Sequence, residues 1–263
     1  MPIYVPGKVT LRQTWQPMDA DAAAYITAVE TADGQALEER TKIAIDNFVL
    51  GCKADGIWSA IKASCILAGA RTTNGALIPL VGTAPTPFNF DLVNNTDYNR
   101  KTGLKGDGST KAINTNRASN ADLQNNHHLS AYVTQDFGFG QYIVHAGGGN
   151  DVTAIYRLSS SNYFFFSRNA SGALIATTVF PAFAGVTRSA SDGFSATSGS
   201  NSLFSTSSSF TPSSSNYWVF AKSGGSEFGS GRLAFYSVGE SINLVALRSR
   251  VTDLINAFGA AIP

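Results

Sequence analysis

The chain has 263 residues, a net charge of +1, 43% hydrophobic residues and 14% charged ones. An average soluble protein has roughly 25% charged residues, so this composition describes a globular chain with a polar but uncharged surface. A balance this close to neutral supplies no long-range field for a phosphate backbone, which disfavours nucleic-acid binding as the main role. No stretch approaches the roughly 20 apolar residues of a membrane helix, so no membrane insertion is expected.

Residues 1–18 hold Pro2, Pro6 and Pro17, alternate apolar residues and show no helical period. They read as an extended N-terminal arm. Met1 to Lys8 contain no basic segment followed by an apolar one, so no secretory signal is expected. Low charge without a signal fits release by another route, such as cell lysis.

Residues 19–82 read as helical. Asp19 and Asp21 sit where an N-cap is wanted, ahead of Ala22, Tyr25, Ile26 and Val29. Asp33-Gly34 breaks that run. A second helix carries Leu37, Ala44, Ile45, Phe48, Val49 and Cys52 on one face. After Asp55-Gly56, a third helix is expected with Ile57, Trp58, Ile61, Cys65 and Ala68, ending near Gly69. Residues 77–81 read as a short strand. Residues 83–99, with Pro85, Pro87, Asn94 and Asn95, read as a turn-rich linker.

From residue 100 the signals turn to β. Short runs at 130–133, 142–145, 152–158, 163–167, 174–179, 202–205, 217–222 and 232–238 alternate or cluster apolar residues between Gly, Ser and Asn groups. Residues 195–216 hold 11 Ser in 22 positions, but Leu203, Phe204 and Phe210 interrupt them, which favours a Ser-rich strand and loop. A C-terminal helix follows, capped by Asn243, with Leu244, Leu247, Val251, Leu254, Ile255 and Phe258 in one stripe. The fold class expected is mainly β: an antiparallel β-sandwich of jelly-roll, concanavalin A-like type, preceded by a small helical region and closed by a helix.

No enzyme signature stands up. His127 and His128 are adjacent, so in a strand they point to opposite sides. They and His145 lack the spacing of a zinc site and read as surface or partly buried residues. Asp136, Asp151, Asp192, Glu227 and Glu240 are the carboxylates of the β region, and nothing in their spacing pairs two of them for glycoside hydrolysis. Asp107 and Asp151 read as turn residues rather than calcium ligands. Cys52 and Cys65 read as buried thiols, a disulfide between them being the alternative. The runs 164–166 and 217–220 are aromatic, and alternation assigns at least half of each to the core. Phe137 and Phe139, flanked by glycines at an expected loop tip, bury little unless a partner or ligand covers them.

Gly51-Cys52-Lys53-Ala54-Asp55-Gly56-Ile57-Trp58, Ile61 to Arg71, Asp97 to Lys111 and Arg232-Leu233-Ala234-Phe235-Tyr236-Ser237-Val238-Gly239-Glu240 together resemble a group of tailed-bacteriophage virion proteins. Their C-terminal part is similar to a laminin-G or concanavalin A-type lectin sandwich. The resemblance covers residues 19–262. It implies two antiparallel sheets, a first strand introduced by the 106–111 turn, and closure by the 232–240 strand and the final helix. The acidic calcium-ligating cluster of many laminin-G modules has no counterpart, so no metal and no cofactor is expected.

The function so implied is a non-enzymatic virion protein, a tail fibre or tail-associated adhesin presenting the sandwich (100–263) to a host-surface glycan. A capsid decoration protein using the same fold as scaffold is the alternative, and a polysaccharide-degrading enzyme is a third reading. Residues 1–82 would dock on other virion proteins or form a homo-oligomer, a trimer being favoured. Asn150, Asp151, Asn162 and Tyr163, at expected loops converging on one sandwich edge, are the candidate carbohydrate-binding residues, with Phe137 and Phe139 second.

Overall fold

The computed structural model describes residues 15–160, 162–176, 180 and 182–263. Most of the expected arm (1–14) and the end of the run expected at 174–179 lie outside them.

Asp19 opens the first helix, α1 (Ala20–Asp33), its Oδ1 accepting from the N–H groups of Asp21 and Ala22 at 2.9 and 3.3 Å. Gly34 closes it at φ 67°. Helix α2 (Glu39–Ala54) packs beside it. Then come β1 (Ile61–Ile66), the short α3 (Thr73–Ala76), β2 (Pro79–Val81), β3 (Thr86–Phe88), β4 (Tyr98–Asn99), β5 (Gly103–Lys105) and β6 (Ala112–Ala118). Next are β7 (His127–Gln135), β8 (Gln141–Ala146), β9 (Thr153–Ser159), β10 (Asn162–Ser167), β11 (Ala173–Ala176) and β12 (Ala182–Arg188). The chain continues with β13 (Gly193–Ser198), β14 (Asn201–Thr206), β15 (Asn216–Val219), β16 (Arg232–Gly239) and α4 (Leu244–Ala261).

The strands form two antiparallel sheets. The inner sheet runs β14-β13-β12-β7-β16-β1-β2, with β5 also pairing β16 and β4 beyond it. The outer sheet runs β11-β10-β9-β8-β15-β6-β3. Alternate residues of each strand meet between the sheets, where Leu129, Val133, Ile143, Ile155, Phe165, Val219, Leu233 and Tyr236 are buried. The other face of the inner sheet is not wet. Tyr132, Phe183 and Phe235 point there, into a second core with Ile26, Phe48, Val49, Leu247, Val251 and Phe258 of the helices. Phe48 meets Phe235 edge-on at 5.8 Å. The protein is therefore three layers deep: helices, inner sheet, outer sheet.

This layering explains the main correction to the sequence reading. Residues 61–66 form β1, not part of a third helix. Ile57, Ile61 and Cys65 do fall four apart, but β1 lies between β16 and β2 in a sheet covered on both faces. A strand of that kind reads as a continuous apolar run, which periodicity cannot separate from a helix. Likewise, 19–82 is not helical throughout, since β1 and β2 belong to the sandwich. The 83–99 segment is more than a linker: β3 pairs β6 at the edge of the outer sheet, and β4 pairs β5.

The histidines need a second correction, because all three are buried. His127 faces the outer sheet, its Nε2 3.0 Å from Ser167 Oγ. His128 points the other way along the strand pair, with Nδ1 2.6 Å from the Glu240 carbonyl and Nε2 2.9 Å from Ser237 Oγ. Cys52 and Cys65 are free buried thiols, one in the helical layer and one between the sheets, where Sγ lies 3.3 Å from Tyr236 Oη. Burial pushes both thiols up to about 12.

Asp46 of α2 is 1% exposed and accepts the N–H groups of Met18 and Asp19 at 3.1 and 3.0 Å, fixing where the chain enters α1. Asp46→Ala removes the acceptor of the buried Asp19 N–H. A loss of about 2 kcal/mol in urea unfolding is expected, and a loss below about 0.5 kcal/mol would show that this clamp is dispensable.

Candidate functional site

The helices cover the inner sheet, so the outer sheet is the one whose far face is left to solvent among the described residues. Period-two alternation decides what that face carries. In β10, Tyr163 and Phe165 are buried, while Phe164 and Phe166 point out and meet edge-on at 4.9 Å. In β9, Ile155 and Arg157 face in, and Tyr156 and the exposed Leu158 face out. In β15, Tyr217 and Val219 are buried and Trp218 is half-exposed.

Strand register then aligns the outward rings. Leu174 of β11 pairs Phe164, Phe164 pairs Tyr156, and Tyr156 pairs Tyr142 of β8, the last two rings 4.7 Å apart. Tyr142 meets the His145 ring edge-on at 4.6 Å, and His145 pairs Trp218. Trp218 stacks on Phe88 of β3 at 5.2 Å. The result is a diagonal aromatic row from β11 to β15, continued by Phe88. At the usual strand spacing of ~4.8 Å, those five strands span about 19 Å. Asn114 and Thr86 lie beside Trp218 in register and supply hydrogen-bonding groups.

The electrostatics of the face are mild. Lys222, 6.0 Å from the Tyr142 ring, is neutralised by Glu227 at 2.5 Å. His145 is 1% exposed, and its Nδ1 accepts from the backbone N–H of Ser223 at 3.1 Å. Burial first, then the Lys222 charge, lowers its pKa to about 4, so the ring is neutral at pH 7. It acts as a prop beneath Tyr142. Among the described residues no group of three or more His, Cys, Asp or Glu is placed to hold a metal ion.

The residues singled out from the sequence converge only in part: the Phe139 and Tyr163 rings lie 6.0 and 4.9 Å from the Arg157 guanidinium, while Asn150 and Asp151 lie apart from them. Hairpins alternate ends, so the β8–β9 loop with Asn150 and Asp151 lies at one end of the sandwich. The β9–β10 turn with Asn162 and Tyr163 lies at the other. Asp151 is buried, and its carboxylate accepts the Gly148 and Ser213 N–H groups at 3.0 and 2.7 Å, which is loop construction. Asn150 is exposed. Asn162 donates to Ser159 Oγ at 3.1 Å. Tyr163 is buried and donates to Asp136 Oδ1 at 3.1 Å.

Phe137 is also buried, stacked on Phe220 at 5.9 Å. It fits because Gly229 and Gly231 lack side chains there; a Cβ on either would lie 2.5 or 2.2 Å from its ring. Phe139 alone of the six is a largely exposed ring, 65% accessible and 6.0 Å from the Arg157 guanidinium. Asp107 is a turn residue, accepting three N–H groups from Ser109, Thr110 and Lys111.

No family model and no curated protein matches the chain. Solved structures of similar fold include an arabinofuranosidase complexed with arabinofuranosyl-alpha-1,2-xylobiose, at 7% identity and TM-score 0.43, covering 59% of this chain and 41% of that one. A Trypanosoma rangeli sialidase mutant displaying trans-sialidase activity matches at 13% identity and TM-score 0.49, covering 80% and 39%. The binding domain of botulinum neurotoxin DC in complex with SialylT matches at 8% and TM-score 0.49, covering 76% and 52%. The chain thus spans about two-fifths of the first two and half of the third. Identities and TM-scores this low carry no role over to this chain. The chain is a mainly β protein, an antiparallel β-sandwich with few helices and a C-terminal helix.

Proposed function

We propose that the protein is a non-catalytic virion adhesin that contacts host-surface glycan through the outer face of its outer sheet. The observation that carries the glycan part is the aromatic row Phe164–Tyr156–Tyr142–Trp218, laid across paired strands on the uncovered sheet. Flat, half-exposed rings beside amide and hydroxyl groups suit sugars, which present apolar C–H faces and a hydroxyl rim. An all-apolar patch would suit a protein partner better. The virion part rests on the sequence resemblance. The helical layer, on the opposite side of the molecule, is the side that would dock on the particle, and repeated copies would raise weak single-site binding through avidity.

Trp218→Ala tests the glycan part. Retention on host-surface polysaccharide is expected to weaken about tenfold, the value of one well-stacked ring. The melting temperature should change little, because Trp218 lies outside both cores. Unchanged retention would defeat the assignment of this face. Gold-labelled antibody on intact virions tests the virion part. Label at the tail supports an adhesin, label over the head supports a decoration protein, and absence of label, which means an internal position or a non-virion protein, defeats both.

A further inference from the structure

Resting on the glycan-binding reading, we infer that the outer face binds an internal run of an extended, uncharged polysaccharide along its length, and not a terminal sugar. Terminal-sugar recognition needs a concave site in which polar groups converge on one ring from several sides. The row is open and side by side instead. Each of β10, β9, β8 and β15 contributes an outward ring: register aligns Phe164, Tyr156 and Tyr142, and the His145 ring beside Tyr142 is the register partner of Trp218. The cavities of 590, 460, 340 and 220 Å³ all lie elsewhere, beside the helices or at the sheet edges. A ligand matching this face must therefore be long, with a repeating apolar surface, and must cross the strands.

The charge pattern narrows the class. The ion pair beside the row, Lys222 with Glu227, is self-neutralised. The other side chains in register with it are Asn114, Thr86, Leu174 and the neutral His145. A polyuronate or sialylated chain would bring charges that this face leaves unpaired. An uncharged hexose or pentose polymer brings none.

The test uses the full chain and host-surface polysaccharides immobilised as a panel of uncharged and acidic polymers. The retained polymer is partly hydrolysed into a ladder of oligosaccharides, and the ladder competes for binding. Affinity is expected to climb at least about tenfold from disaccharide to hexasaccharide, as successive rings engage. Fragments with chemically blocked ends should compete as well as free ones. Phe164→Ala and Trp218→Ala, at opposite ends of the row, should each flatten the dependence on length. A plateau at the disaccharide, or loss of competition on end-blocking, overturns the inference while leaving glycan binding intact. Preferential retention of an acidic polymer overturns the uncharged class. No retention of any polymer overturns the glycan reading itself.

Discussion

Between pH 6.5 and pH 4 the folded protein is expected to lose most of its stability. His127, His128 and His145 are held neutral in the fold, burial being the first cause in each. The Arg168 and Arg188 charges add to it at His127, and Lys222 adds to it at His145. At His128 the Glu240 carbonyl and Asp122 oppose the shift but do not cancel it. The pKa falls from 6.5 to about 4 at both His128 and His145. Below pH 6.5 the unfolded chain takes up protons that the folded chain refuses, so stability drops as pH falls, and the loss is complete near the folded value.

That drop is roughly 3 kcal/mol for each of the two, a large share of a normal domain's 5–15 kcal/mol. Carboxylates add little in this window. Glu38, held down to about 2 by the Arg100 guanidinium, contributes its loss below pH 4.5. Calorimetry should show Tm falling by more than about 10 °C from pH 6.5 to 4.5. His128→Asn should flatten the slope, even though its starting stability is lower. A level Tm across the window would mean that these rings ionise freely in the fold.

Gly103→Ala is the second large effect, and here geometry alone decides. Asn99 and Gly103 are paired residues flanking the turn between β4 and β5. Gly103 has φ 94°, a conformation that disfavours any side chain. Its added Cβ would lie 1.9 Å from the Leu233 carbonyl oxygen of β16. That atom belongs to a central strand and cannot move aside cheaply. The same turn is tied to the helical layer, where Arg100 meets Glu38 at 2.6 Å and donates to the Ala70 carbonyl at 3.0 Å. A loss of at least about 3 kcal/mol is expected, or no soluble protein at 37 °C. The neighbouring Lys101→Ala serves as control and should stay within about 0.5 kcal/mol. Equal denaturation midpoints for the two variants would sink the argument.

Much of the architecture was legible where the signal is local. The Asp19 and Asn243 caps and the α4 stripe stand as read, because a cap and an i, i+4 face need only neighbours in sequence. The many short strands were legible from period and punctuation. The identity of 61–66 was not, since its strand state depends on β16, about 170 residues away. The aromatic face was half legible: alternation divides 164–166 and 217–219 between the two faces, but Phe220, with φ 64° just past β15, turns back into the core, and two of the three rings of 164–166 face out where at least half were expected inside. Which sheet stays uncovered depends on the helices choosing the other one, and no run of residues encodes that. The expected meeting of the four loop candidates at one edge was not legible for a related reason. Loops that look equivalent in sequence fall at opposite ends of β9, and Phe137 is hidden by two glycines about 90 residues further on.

The place of β16 has a consequence for biogenesis. It fills the middle of the inner sheet, bonded to β7 on one side and to β1 and β5 on the other, yet it is made after all the other described strands. Until then β1 and β7 have no common partner, and neither core can close. Nascent chains halted before residue 232 should therefore be protease-sensitive along their whole length, and a stop codon placed just before that residue should leave no stable fragment.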